Sequence, residues 1–156
     1  MKQNEKRQQT IELLRHYKSR QQTIELMKAD LHTLELMDGQ TQLAVDYARP
    51  TGGKTNKVVS PTENAAIRLE EKRCQLLRQI ALLKNQNDKV DMALSRLGQS
   101  HQILLKMRYI DNCRWNEIYK SLNYSEEYIR GKMQEIALDK MSQWLFPEMY
   151  SVPYEA

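Results

Sequence analysis

The sequence predicts an all-α protein in which a long antiparallel coiled-coil helical hairpin is followed by a small three-helix helix-turn-helix domain. The 156 residues include one Phe and many Leu, Gln, Lys, Glu and Met, a composition typical of long helices rather than sheets. Apolar residues recur every seven positions between 63 and 97, and three short amphipathic patterns follow between 98 and 141. A chain of this length forms one or two small domains.

Residues 1–47 are predicted to form an N-terminal helical arm, since they contain no proline. Gly39 is the expected break in this arm. The pattern RQQTIEL occurs twice, beginning at Arg7 and again 13 residues later at Arg20. On a continuous helix these copies would face different sides, so either the helix breaks between them or each copy meets a different neighbour. From Ile24 onward a heptad spacing predicts packing against another helix.

Residues 48–62 are predicted to be a basic flexible linker, because two prolines, two glycines and polar residues cannot continue a helix. The run ending in Gly53-Lys54-Thr55 nearly fits a phosphate-binding loop, but Ala48 stands where the first glycine belongs. That loop needs a buried strand before it and a helix after it, and the sequence predicts neither. We therefore expect a linker that at most touches a phosphate backbone.

Residues 63–97 are predicted to form a coiled-coil helix roughly 50 Å long, at 1.5 Å per residue. Asn87 in the seam favours one register of the two helices. Arg73, also in the seam, must extend its guanidinium towards solvent or pair with an acidic residue of the partner helix. The partner is either residues 20–47 of the same chain or a second subunit, which makes a homo-oligomer an expectation. The predicted seam comprises Leu69, Leu76, Ile80, Leu83, Asn87, Val90, Leu94 and Leu97.

Residues 98–141 contain three short helical patterns with two brief breaks, which is the arrangement of a helix-turn-helix unit. The breaks fall at Asp111-Asn112 and Asn123-Tyr124, and Ser125 is the expected N-cap of the last helix. The inner faces are predicted from apolar spacing: Ile103, Leu104, Met107 and Ile110, then Trp115, Ile118 and Leu122, then Ile129, Met133, Ile136 and Met141.

The outward face of the last helix suggests DNA recognition, since the second helix of such a pair lies in the major groove. Arg130 and Gln134 are four apart and should project side by side, where Arg pairs with guanine and Gln with adenine. Gly131 is costly in a helix, and close approach of the backbone to DNA would explain it. A solvated charged face is the alternative. The candidate contacts are Arg114, Glu127, Tyr128, Arg130, Gly131, Lys132 and Gln134.

Three runs in this domain carry a family resemblance: RYID from Arg108, WNEI from Trp115 and LNYS from Leu122. They resemble region four of bacterial sigma factors and, more closely, phage-encoded proteins of the ArpU/RinA type. The resemblance implies a regulator of phage late transcription that binds double-stranded promoter DNA, with its coiled-coil arm used for oligomerisation or for contact with bacterial RNA polymerase. Tyr119 stands where that module usually has alanine.

Other functional classes find no support in the sequence. His16, His32 and His101 lie far apart, and Cys74 and Cys113 lack metal or redox spacing, so we expect no metal site, no cofactor and no enzyme. A net charge of +4 permits nucleic acid as a partner. The chain has neither an apolar run of membrane-spanning length nor the apolar core of a signal peptide, and we expect a cytoplasmic protein of the bacterial host.

Two functional alternatives remain open from the sequence. A small terminase subunit for DNA packaging also joins a helix-turn-helix to helical oligomerisation segments. A protein-binding adaptor would keep the module but dock on RNA polymerase or a host regulator. The aromatic C-terminal tail, residues 142–156, either packs Trp144 and Phe146 back onto the helices or docks on a partner.

Overall fold

The computed structural model describes residues 2–47 and 61–147, with side chains at all of these positions except 40–47 and 62. Every regular element in these ranges is a helix, which confirms the all-α class. The predictions for residues 48–60 and 148–156 fall outside the described residues. None of the described helices combines the length and the apolar character that a membrane-spanning segment requires.

The N-terminal arm breaks at a different residue from the one that the sequence predicted. Helix α1 spans Gln3–Arg15 and α2 spans Tyr17–Tyr47, so the chain bends at His16 and runs through Gly39 without interruption. The prediction of a break at Gly39 is wrong, because a single glycine costs only about 1 kcal/mol inside a helix. The break at His16 separates the two copies of the repeat, which was one of the two alternatives.

Helix α3 spans Pro61–Ser95 and therefore begins within the last two positions of the predicted linker. Proline is favoured in the first turn of a helix, where its missing N–H has no partner to lose. The chain divides into two compact units, one formed by Met1–Arg20 with Asn85–Ala156 and the other by Gln21–Lys84. Unit 1 and unit 2 each contain part of α2 and part of α3.

In unit 2, residues of α2 and α3 line a common cavity, so the two helices lie side by side. The predicted seam residues Leu69, Leu76, Ile80 and Leu83 are half-buried, and Arg73 is exposed, as a charge in a seam requires. These positions fit the predicted heptad. Coiled-coil packing along the whole arm stays a prediction.

In unit 1, the start of α2 runs antiparallel to the end of α3. The Tyr17 hydroxyl donates to Asp91 at 2.7 Å, and Arg20 Nε donates to Asn87 Oδ1 at 2.6 Å. Asn87 Nδ2 in turn donates to the Tyr17 carbonyl at 3.2 Å. Burial and the Asp91 carboxylate raise the pKa of Tyr17 to about 12. Asn87 thus has a specific partner in this chain, as a polar seam residue that sets a register should.

The C-terminal part of unit 1 contains the predicted helix-turn-helix. Gly98 is the N-cap of its first helix, with φ −60°, and does not take the left-handed conformation that is common for a glycine after the end of a helix. Asn112 takes the left-handed conformation, with φ 57°, and permits the first break. The elements are α4 (Gln99–Leu105) with a π-helical turn (Lys106–Ile110), α5 (Trp115–Ser121), α6 (Glu126–Tyr128), a second π-helical turn (Ile129–Met133) and α7 (Gln134–Leu145).

The last helix runs from α6 through the π-helical turn to α7, and its inner face differs from the predicted one after Met133. Ile136 is only half-buried, whereas Ala137 and Leu138 belong to the core. The π-helical turn makes i→i+5 hydrogen bonds, which enclose one residue more than those of an α-helix. The inward-facing position beyond the turn is therefore shifted by one residue towards the C-terminus, from Ile136 to Ala137. The prediction for Ile136 assumed a regular α-helix.

The predicted tail begins inside this last helix. Trp144 lies in α7 and remains 55% exposed. One face of its ring is covered by the Arg96 guanidinium at 4.1 Å from the ring centroid. Phe146 is half-buried. Both rings therefore contact the folded unit, although Trp144 contributes little to the core.

Candidate nucleic-acid interface

The helix that runs from Glu126 to Leu145, named here the reading helix, is held by a small apolar cluster. Ile118 of α5 and Leu122, the residue after its end, pack with Ile129 and Met133 of the reading helix. Leu104 of α4 completes the cluster. Each of these side chains is at most 5% exposed. Since Ile129 and Met133 point inward, the residues between them face solvent.

The N-terminal end of the reading helix is capped as the sequence predicted. Ser125 Oγ accepts a hydrogen bond from the backbone N–H of Tyr128 at 3.3 Å. Glu126 and Glu127 occupy the first turn, where their charges stabilise the positive end of the helix dipole. The cap determines where the helix starts and therefore which side chains it presents.

The exposed residues that follow form the candidate interface, named here the reading face. The reading face comprises Glu127, Tyr128, Arg130, Gly131 and Lys132, all exposed. Gly131 lies in the middle of the π-helical turn, and a Cβ added there would meet nothing within 4 Å. Packing within the described part of the chain therefore does not require glycine at this position. An approaching partner would reach the backbone here, and π-helical turns occur frequently at functional sites.

Arg130 has a defined neighbour within the domain. Its guanidinium lies 5.4 Å from the centroid of the Trp115 ring, and that of Arg108 lies 4.5 Å from the same ring. Tyr119 stacks on Trp115 with a centroid distance of 6.0 Å and an interplanar angle of 20°. The large ring of Tyr119 thus supports the Trp115 side chain. These contacts restrict the positions that the Arg130 side chain can take.

Gln134 does not project beside Arg130 as the sequence predicted. It is half-buried, and its amide donates to the Tyr109 hydroxyl. The prediction assumed α-helical i,i+4 spacing, whereas the intervening π-helical turn rotates Gln134 towards the helix that contains Tyr109. Gln134 therefore connects two helices of the domain and leaves the reading face without a paired Arg and Gln.

Arg114 lies at the N-cap of α5 and is exposed. Its backbone N–H donates to the Glu117 carboxylate at 3.2 Å. Because the Arg114 side chain is exposed, its guanidinium lies on the surface at the start of the first helix of the pair. This location fits contact with a phosphate, because in such units the first helix crosses the nucleic-acid backbone.

Sequence reasoning included Tyr128 in the reading face but missed that its ring pairs with the ring of Tyr124. The rings of Tyr124 and Tyr128 lie 5.5 Å apart at an angle of 41°, and they are 51% and 38% exposed. Two Tyr residues four positions apart were the available signal. Exposed Tyr side chains are common at protein interfaces and also contact nucleic acid.

Sequence reasoning also missed the contact that attaches α1 to the reading helix. Arg7 donates to the carboxylate of Asp139 from two nitrogens, with Nη2 to Oδ2 at 2.7 Å, and reaches Glu135 at 2.9 Å. Gln3 Nε2 donates to Asp139 at 2.9 Å. The hydrogen bond from Arg7 holds the pKa of the Asp139 carboxyl below its ordinary value. The first copy of the repeat thus fixes the C-terminal half of the reading helix.

Among residues 2–47 and 61–147, no group of three or more His, Cys, Asp or Glu side chains could hold a metal ion. In comparisons with known proteins, a family model described as a protein of unknown function (DUF722) matches residues 6–141. No curated protein and no solved structure matches the chain.

Proposed function

Since the chain belongs to the family described as a protein of unknown function (DUF722), we propose, from the reading face and from the resemblance of the helix-turn-helix to phage proteins of the ArpU/RinA type, that it is a phage-encoded DNA-binding transcription regulator of late genes. Its helix-turn-helix binds double-stranded promoter DNA, and the α2–α3 arm serves oligomerisation or contact with bacterial RNA polymerase. The observation that carries the proposal is the reading face: Arg130 and Lys132 stand exposed on either side of an open backbone at Gly131.

The roles of the two cations follow from their chemistry. The planar guanidinium of Arg130 can donate two hydrogen bonds to one guanine, which reads sequence. The flexible ammonium of Lys132 is suited to a phosphate, which positions the helix without reading sequence. Arg114 would add a second phosphate contact from the start of α5. Sequence preference therefore rests on Arg130.

A protein-binding adaptor is the second candidate, and a specific observation supports it. Glu126 and Glu127 offset the charges of Arg130 and Lys132, so the start of the reading helix is nearly neutral. The exposed Tyr124–Tyr128 pair also suits a protein partner. The DNA-packaging alternative predicts a ring of eight or more subunits, which a measurement of mass in solution would detect.

The test is a binding titration on duplexes tiled across upstream DNA from the genome that encodes the chain, at two salt concentrations. Arg130→Ala should lower specific affinity by about 1–3 kcal/mol and relax sequence preference. Lys132→Ala should weaken binding evenly across sequences and reduce the salt slope by about one unit. Lys28→Ala, an exposed cation of unit 2, is the control and should bind like the parent.

A reconstituted transcription assay on the bound segment completes the test, and the regulator should change the transcript level. If Arg130→Ala and Lys132→Ala both bind DNA like the parent, the reading face does not contact DNA and the adaptor proposal takes precedence. If specific binding occurs without any change in transcription, the packaging alternative takes precedence instead.

A further inference from the structure

A groove in unit 1 lies between the end of α3 and the end of α7. Lys89, Met92 and Ala93 of α3 and Arg96 just after it line one side, and Trp144 and Pro147 line the other. The groove encloses about 300 Å³, at the lower end of the roughly 300–1,000 Å³ that ligand pockets occupy. This volume suits a few side chains of a partner. We name it the α3–α7 groove.

Two large apolar side chains of the α3–α7 groove are exposed. Met92 is 59% exposed and Trp144 is 55% exposed, whereas Ala93 is 2% exposed and belongs to the core. Because the side chain of Ala93 is small, it leaves space beside Met92 and Trp144. Met and Trp are enriched in protein interfaces relative to the rest of the surface. This composition favours a protein segment as the occupant.

The α3–α7 groove also carries two positive charges. Lys89 and Arg96 are exposed, and no acidic side chain is among the described residues that line the groove. Asp91, near them on α3, already accepts a hydrogen bond from Tyr17. The Arg96 guanidinium lies 4.1 Å from the centroid of the Trp144 ring, and a guanidinium that contacts a ring can still donate from its edge to a carboxylate. The groove therefore complements an acidic partner.

The spacing of the two cations indicates the form of that partner. Lys89 and Arg96 are seven residues apart, roughly 10 Å at 1.5 Å per residue. Two carboxylates seven residues apart on a partner helix have the same separation and lie on one side of that helix. Apolar side chains three and four residues after the first carboxylate lie between them, opposite Met92 and Trp144. A small anion does not reach both cations.

We propose that the α3–α7 groove binds an amphipathic helix of another protein, in which two acidic residues seven positions apart pair with Lys89 and Arg96. Apolar side chains of the partner helix fill the groove against Met92 and Trp144, which is the general arrangement of an amphipathic helix bound in a groove. The inference adds a protein-binding site to the proposed function and does not depend on DNA binding. A chain that binds no DNA should still bind this helix.

Two other occupants complement the groove less well. The chain's own residues 148–156 contain two glutamates seven positions apart, but Pro153 between them disfavours a helix. Duplex DNA would attract the two cations, whereas the large apolar surfaces of Met92 and Trp144 do not complement a phosphate backbone. A helix with both acidic and apolar residues satisfies the charges and the apolar surface together.

The first experiment measures binding of a fluorescein-labelled peptide to the full chain by fluorescence anisotropy. The probe is an alanine-based helical peptide with glutamates at its third and tenth positions and a leucine and a phenylalanine at its sixth and seventh. The parent should bind it saturably. A peptide with lysines for the glutamates, and one with serines for the two apolar residues, should each bind about fivefold more weakly or worse. Absence of saturable binding up to about 1 mM, or equal binding of the three peptides, would overturn the proposal.

Charge reversal in the groove should exchange the preference between the acidic and the lysine peptide. Lys89→Glu with Arg96→Glu should weaken binding of the acidic probe by about tenfold or more and strengthen binding of the lysine peptide. Arg78→Glu with Lys84→Glu makes the same change of net charge at exposed positions of α3 outside the groove and should leave both affinities as in the parent. Circular dichroism checks that each variant is folded. An unchanged preference in the groove variant would contradict the proposed pairing.

The apolar contact is tested at Trp144. Trp144→Ala should weaken binding of the acidic probe by about tenfold, as expected for an aromatic side chain at the centre of an interface. Leu82→Ala, at a side chain of α3 that is 60% exposed and lies outside the groove, is the matched control and should bind the probe like the parent. Equal affinities of these two variants would show that the groove does not hold the probe.

The other occupants are tested with the same probe. A chain that ends at Pro147 should bind the probe like the parent, and duplex DNA should not displace the probe from the parent. Binding that becomes at least about fivefold tighter on truncation would assign the groove to residues 148–156. Displacement of the probe by duplex DNA would assign it to nucleic acid. Either result would overturn a partner helix as the occupant.

Discussion

Arg130 of the reading helix lies with its guanidinium 5.4 Å from the centroid of the Trp115 ring at the start of α5. Arg130, the side chain proposed to contact bases, is therefore held by a cation–π contact with α5, the other helix of the pair. Arg108 contacts the same ring at 4.5 Å, so the ring holds two cations. Holding a long side chain near its binding position lowers the entropy that recognition must remove.

Trp115→Leu should lower specific DNA affinity by about 0.5–2 kcal/mol, the range of a cation–π contact. Trp115→Phe keeps an aromatic face and should lose less. Because Trp115 acts through Arg130, the double variant Trp115→Leu with Arg130→Ala should lose less than the sum of the single losses. A double-mutant cycle measured by titration checks this, with urea melts to confirm that each variant is folded. Additive losses would show that the ring does not position Arg130.

Gly131→Ala should change the stability of the protein and its affinity for DNA in opposite directions. The position is helical and open, so alanine should raise the free energy of unfolding by about 1 kcal/mol. If DNA approaches the backbone there, the added methyl group should lower DNA affinity in the same variant. Urea unfolding and a binding titration measure the two effects. A variant that is more stable and binds DNA as well as the parent would show that no partner comes close to Gly131.

Arg7→Ala should lower stability at pH 7 by about 1.5–3 kcal/mol, the range for a hydrogen bond to a charged group. The pKa of Asp139 is lowered below its ordinary value of 3.8, so the stability contribution of this contact is complete above about pH 4. It disappears as the pH falls through the lower pKa of the folded state. The difference between parent and variant in urea melts should therefore be large at pH 7 and smaller at pH 3.

The control for that prediction is Lys28→Ala, which removes an exposed pair with Glu25 and should change stability by less than about 0.5 kcal/mol. An Arg7→Ala loss that stays the same from pH 7 to pH 3 would mean that packing of the Arg7 side chain, and not its pairing with Asp139, stabilises the contact of α1 with the reading helix.

His101 should make stability dependent on pH near neutrality. Burial, together with the nearby Lys140 charge, lowers the pKa of His101 from 6.5, and its buried Nδ1 has no hydrogen-bond partner in the described chain. A lowered pKa means that the unfolded state binds the proton more readily, so stability is complete above about pH 6.5 and falls as the pH decreases below it. Urea melts at pH 7.5 and 5.5 should show this decline in the parent and a smaller one in His101→Gln.

Leu83→Asp should destabilise unit 2, because it places a charge in a half-buried seam position. We expect lower helicity by circular dichroism and a lower melting temperature. Lys84→Asp, at the next residue and exposed, is the control and should leave both unchanged. Equal behaviour of the two variants would show that the heptad assignment of α3 in unit 2 is wrong.

The sequence by itself determined the all-α class, the breaks at Asp111-Asn112 and Asn123-Tyr124 between the short helices, and the Ser125 cap. Each depends on local signals, namely apolar residues at helical spacing and a side chain that bonds the backbone three residues away. It also identified the exposed positions Arg130, Gly131 and Lys132, because these follow directly from the buried position of Ile129. Local patterns suffice for residues that directly follow a buried position and wherever the backbone keeps regular α-helical spacing.

Only the tertiary structure decided the remaining features, for two physical reasons. The π-helical turn changed the spacing after Ile129, so Gln134 turned towards Tyr109 and Ala137 replaced Ile136 in the core. The contacts of Arg7 with Asp139 and of Arg20 with Asn87 join residues 132 and 67 positions apart. A polar side chain carries no periodic signal of a partner so distant, because that partner is brought near only when the helices pack.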